Sequence, residues 1–117
     1  MAYQQIEKTS WKDFGDRVSR LLAKRSVELD VIGLDIGDQI EGERLTLDGL
    51  SYDPPDDTFH VFLQVGERGT RHLGHVIQSP RQIYLEVGDA GVSQLAVMDG
   101  AGREHLLRFS QPLLLPT

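Results

Sequence analysis

The chain has 117 residues, 39% apolar and 26% charged, with a formal net charge of −6 and no cysteine. This is the composition of an ordinary globular domain with a core of its own, and the missing thiols exclude disulfides, thiolate metal sites and cysteine nucleophiles. Residues 26–60 carry ten acidic side chains against Arg44 alone, a face that repels a phosphate backbone, so nucleic-acid binding is not expected.

The first eleven residues lack the basic segment and apolar run of a secretory signal. The longest uninterrupted apolar run, residues 95–98, is far short of a bilayer span. A cytoplasmic chain with no membrane contact is the expectation. Ser10 is a good helix N-cap, with Asp13 three residues on in the capping-box position. Trp11, Phe14, Val18, Leu21 and Leu22 follow at helical spacing, while Asp13, Arg17, Arg20 and Lys24 form a second, water-facing stripe. The pattern predicts a helix over residues 10–25, with Gly15 a mild cost inside it.

At about Ser26 the hydrophobic period changes from helical to alternating. Val27, Leu29 and Val31 alternate with Glu28 and Asp30, a half-buried strand with solvated acids. Gly33 and residues 35–38 read as a turn. In residues 39–47, Ile40 has one parity and Leu45 and Leu47 the other, so a bulge or bend near Gly42 is predicted. Asp48-Gly49 marks a hairpin turn or a second bend before Leu50 and Tyr52. The two prolines in residues 53–57 make that segment a loop.

Strands are predicted around Phe59–Val65, residues 71–78, Ile83–Val87 and Leu95–Val97, with turns at residues 66–69 and 88–91 and a break at Pro80. Asp99-Gly100-Ala101-Gly102 is the strongest hairpin signal, and His105, Leu107 and Phe109 form the last strand. The expected fold is α+β, a single domain over residues 1–117. An N-terminal helix precedes a six- to seven-stranded antiparallel meander over residues 27–110, forming a strongly bent sheet or small barrel. Residues 111–117 are an apolar tail.

The residues that could carry chemistry are few. His60, His72, His75 and His105 all fall on or near predicted strands. His72 and His75 differ by three and so point to opposite faces of a strand. His75 and His60 could meet across neighbouring strands, with Asp53 or Asp57 nearby, as a two-histidine, one-carboxylate site. Asp38 and Glu41 belong to an acidic cluster that could join such a site. More simply, these are half-exposed surface side chains. No nucleophile motif or phosphate loop occurs, and no cofactor is expected. The basic stripe on the helix reads as a solvated face. Leu113, Leu114 and Leu115, between two prolines, would form an adhesive patch if exposed. They dock on their own domain or pair with a second copy.

Residues 37–41 (GDQIE), 49–54 (GLSYDP), 79–86 (SPRQIYLE) and 112–116 (PLLLP) together resemble a family of short bacterial proteins catalogued as a domain of unknown function. The resemblance covers most of the chain and implies a compact stand-alone bacterial protein. It brings no activity, cofactor or catalytic residue, though His75 matches a histidine of the pattern just ahead of Ser79-Pro80. The sequence therefore predicts a non-enzymatic binding or assembly module, self-associating as a homodimer or engaging a protein partner. The alternative is a metal-dependent or ion-binding protein built on His75, His60 and nearby carboxylates.

Overall fold

In the computed structural model, which describes residues 2–21, 24–33, 37–65 and 71–113, a helix sits against an eight-stranded antiparallel sheet. The elements are β1 (Ala2–Ile6), a 3-10 turn (Lys8–Ser10), α1 (Trp11–Leu21), β2 (Arg25–Gly33), β3 (Gly37–Asp53), β4 (Thr58–Val65), β5 (Arg71–Gln78), β6 (Gln82–Gly88), β7 (Gly91–Met98) and β8 (Glu104–Leu113). Sheet order is β1-β6-β7-β8-β2-β3-β4-β5. β2 to β5 form one meander and β6 to β8 another, joined by pairing of β2 with β8. The sheet is not a closed barrel, since β1 and β5 are its two edges.

Two expectations are corrected. The strands number eight rather than six or seven, because β1 was not legible: Tyr3, Gln4 and Gln5 are exposed and give no alternation. β1 is held instead by its backbone ladder to β6, from Ala2 opposite Val87 to Ile6 opposite Ile83. The helix also ends earlier than residue 25. Lys24 adopts left-handed backbone (φ 72°) and donates its N–H to the Leu47 carbonyl, which turns the chain straight into β2 at Arg25.

β3 is one long strand whose parity changes are bulges. Opposite β2, the extra residues fall at 43–44 and at 41, around Gly42, and opposite β4 at Asp48. The last of these moves the inward set from Leu45 and Leu47 to Leu50 and Tyr52. Together with Val27, Leu29, Phe59, Val61, Leu63, Ile77, Ile83, Leu85, Leu95, Val97, Leu107 and Phe109 these fill the concave side. Asp30, expected in water, is 2% exposed and ion-paired with Arg108 on the other face of the sheet.

α1 closes one end. Trp11, Phe14 and Val18 point into the core, and the Trp11 ring meets Tyr52 edge-on at 5.1 Å. The Trp11 indole N–H donates to the Ile6 carbonyl at 2.9 Å, which ties the helix start to β1. Gly15 is less a defect than a requirement: a Cβ there would lie 3.3 Å from the Leu50 carbonyl oxygen. The absence of a side chain lets helix backbone approach strand backbone.

Candidate functional site

Asp99 follows β7 and opens the turn into β8. Its Oδ1 accepts the N–H groups of Ala101 (2.8 Å) and Arg103 (3.0 Å), and Gly102 supplies the left-handed backbone (φ 85°) that the turn needs. Oδ2 is left facing His105 Nε2 at 2.8 Å. His105 shares the inward parity of Leu107 and Phe109 and is 8% exposed. Its other nitrogen, Nδ1, lies 2.8 Å from Nε2 of His75.

That second contact reports the shape of the sheet. His75 sits on β5 opposite Val61, and β5 is separated from β8 by β2, β3 and β4. Four strand spacings amount to about 19 Å along a flat sheet. Only a sheet curled through its own concave side can bring the two rings together.

Burial opposes charge on Asp99, but the His105 contact and the N–H groups of Arg103 and Ala101 outweigh it and hold the carboxyl below its usual range. Burial, and secondarily the neighbouring His105, push His75 down to about 4. At neutral pH the site is therefore one carboxylate and an uncharged His75. The relay forms a wall of an open cleft of about 950 Å³, which Lys8, Asp57, Ser79, Arg81 and Arg103 also line. The far wall is the corner between β5 and β6, where Ser79 has left-handed backbone (φ 51°) and donates its N–H to the Asp57 carbonyl at 2.9 Å. Gly100 packs against it so closely that a Cβ would lie 3.1 Å from Ser79 Cβ. A larger cleft of about 1300 Å³ between α1 and the β1–β6 edge has an apolar floor under scattered charges of both signs.

Residues 2–117 match a family of unknown function, DUF5335. An uncharacterized protein of Aquifex aeolicus (strain VF5) is 37% identical over 116 residues, covering 99% of both chains. The chain belongs to the DUF5335 family. The resemblance drawn from its sequence segments to a domain of unknown function is thereby borne out. No solved structure matches it.

Within this DUF5335 chain the histidine pairing differs from the one the sequence suggested. His75 points inward, whereas His60 lies on the opposite face of the sheet, its Nε2 3.1 Å from Thr58 Oγ1 and its ring stacked on Phe62. The two do not meet, which corrects the proposed two-histidine set. Asp53 pairs with Thr58 at the end of β3 and does not line the cleft, while Asp57 does. Asp38 and Glu41 are placed in β3 by their backbone, and their side chains lie outside the described residues. Leu113 ends β8 opposite Val92 with its side chain likewise outside, and Leu114 and Leu115 fall beyond the described residues altogether.

Among the described residues no three of His, Cys, Asp and Glu are placed to hold a metal. The relay itself is a poor fit: its two facing nitrogens are 2.8 Å apart, as in a hydrogen bond. Two ligands on one tetrahedral ion would stand roughly 3.3 Å apart. Sequence reasoning missed Asp99 and the inward role of His105. Asp99 was absorbed by its turn signature, although an inward-parity histidine beside an Asp-Gly turn was a signal that could have been followed.

Proposed function

We propose that this DUF5335 protein is a small ligand-binding module whose site is the cleft between the β5–β6 corner and the β7–β8 turn. One observation supports the reading. His75 and His105 are polar side chains on the inward parity of the curled sheet, and they converge with Asp99 beside the cleft. A core that needed only filling would be served by valine or leucine, because a buried polar group is costly unless bonded. A short polar chain ending at an open concavity is how ligand sites are built.

The ligand class follows from charge. Lys8, Arg81 and Arg103 line the cleft with Asp57 and Asp99; Lys8 lies 3.5 Å from Asp57 and Arg103 has a partner of its own, which leaves Arg81 as the cation for a guest. Asp99 is committed to His105 and two backbone N–H groups, and Asp57 accepts from the Tyr52 hydroxyl at 2.6 Å. A small anion is the complementary guest. Acetate or inorganic phosphate at millimolar concentration is expected to shift the imidazole resonances of His75 and His105 and to raise the melting temperature by linkage. Equal displacement of His60 and His72, which lie outside the cleft, would sink the reading.

Self-association is a second reading, favoured by the β5 edge. Among the described residues β5 has no strand neighbour on its outer side, and it exposes Val76 (47%) on the same face as Phe62 of β4 (44%), with Leu73 (41%) on the other face. Such an edge pairs readily with a second copy. Sedimentation at tens of micromolar is expected to show a dimer that Val76→Lys dissociates. A monomeric wild-type chain would remove the edge argument, and an unchanged dimer in a chain ending at Gln111 would remove any role for the leucine tail.

A further inference from the structure

The convex face of the sheet, opposite the core, carries a hollow centred on Ala96. The antiparallel registers place Tyr84 and Leu106 beside Ala96 on β6 and β8, Gln94 and Met98 before and after it on that face of β7, and Glu86, Arg108, Gln82 and Glu104 at the corners. Alanine has the shortest side chain of this block, so the face sinks there. The hollow measures about 300 Å³, and Tyr84, Met98 and, from the β1 edge, Tyr3 form its walls. Glu86 and Glu104, at opposite corners, line it too, and among the described residues no cation pairs with either. Arg108 leans toward β2, where Asp30 (2.5 Å) and Glu28 (3.6 Å) flank its guanidinium. Its Nε donates to Gln94 Oε1 at 3.2 Å, so that cation and that acceptor are both occupied.

We propose that this hollow binds a small quaternary ammonium ion, with Tyr84, Tyr3 and Met98 around its methyl groups and Glu86 and Glu104 supplying the counter-charge. Two carboxylates without a cation exclude an anionic guest and attract a positive one. Aromatic rings add to that attraction through their negative faces, and a thioether adapts its shape to the guest. The kind of cation follows from the walls. An ammonium or guanidinium carries N–H donors that need acceptors on several sides, whereas most of this lining is two rings, a thioether and a methyl group. A quaternary nitrogen makes no such demand. The volume lies at the low end for small-molecule sites, which suits one compact ion.

The test compares choline with dimethylbutanol, its uncharged analogue in which carbon replaces nitrogen, on the full chain labelled at its methionine methyl groups. Choline at millimolar concentration is expected to move the Met98 methyl resonance and to bind about tenfold more tightly than the alcohol, the joint worth of the rings and the two carboxylates. Tyr84→Leu keeps an apolar wall without a π face and is expected to remove most of that preference. Glu86→Gln combined with Glu104→Gln is expected to weaken choline about threefold. Ala96→Leu fills the hollow from its floor and is expected to abolish the response to both compounds.

Equal affinity for choline and the alcohol, a Met98 methyl that choline moves no further than sodium chloride does, or a choline response that survives Ala96→Leu would each overturn the proposal. If Ala96→Leu does not fold, the wild-type affinity ratio and its loss in Tyr84→Leu decide by themselves. The histidine cleft lies on the other side of the sheet, so neither result bears on the ligand-binding reading above.

Discussion

Ser19→Ala is expected to destabilise the fold by about 2–4 kcal/mol, lowering the melting temperature by about 8–16 °C for a chain of this size. β2 pairs with β3 only as far as Leu47, so the Leu50 amide and carbonyl on that side have no strand partner. Leu50 is buried, and α1 covers the gap. The Ser19 hydroxyl accepts the Leu50 N–H at 2.8 Å and donates to the Leu50 carbonyl at 2.8 Å, sharing its proton with the Gly15 carbonyl at 2.9 Å. Alanine leaves two part-buried backbone groups without a protein partner, each carrying a desolvation cost of up to about 1–3 kcal/mol. Thermal or urea unfolding measures the loss.

A double-mutant cycle sharpens the point. A Cβ on Gly49 would lie 2.9 Å from Ser19 Oγ, so Gly49→Ala alone is expected to destabilise. In the Ser19→Ala background that oxygen is gone and the added methyl has room. The two losses are expected to be strongly non-additive. Additive losses would mean that Ser19 acts through something other than this contact.

Acid is expected to weaken the protein in two stages. His75 protonates near 4 when folded and near the usual 6.5 when unfolded. Between those values the unfolded chain binds more protons, so stability falls as pH drops from about 6.5 to about 4, and this contribution is flat below. Asp99 acts in the next window: its folded carboxyl is held below the usual range, and its contribution is lost as pH falls through the folded value. Because His75 is partly open to solvent, its share is discounted to about 1–2 kcal/mol. His75→Gln keeps an amide that can meet His105 Nδ1 without titrating. Its urea midpoint is expected to hold steady from pH 6.5 to 4, and a wild-type slope surviving in that variant would assign the loss elsewhere.

The alternation of apolar residues was enough to place β2 and β4 to β8, because strands with one dry face must hide every second side chain. The bend at Gly42 was legible for the same reason, whereas Asp48-Gly49 read equally as a hairpin turn or a second bend and is in fact a bulge inside β3. β1 was invisible, because an edge strand held by backbone bonds needs no apolar pattern. The candidate site was legible only in part. His75 stood out as a residue, but its true partners lie on β8 and in the turn before it. Nothing local announces that a sheet will curl far enough to join β5 to β8. Local rules see neighbours along the chain and along the ladder, and this contact is neither.

The pairing of β2 with β8, from Val27 opposite Phe109 to Ile32 opposite Glu104, also sets a timetable. His75 belongs to the meander that ends with β5, while Asp99 and His105 belong to the one that follows it. Each meander can form from short-range hairpins, but closing β2 onto β8 must first overcome the entropy of the loop between Ile32 and Glu104, more than half the chain. The imidazole contact therefore spans a seam completed late in folding, and its appearance marks the moment at which two half-sheets become one protein.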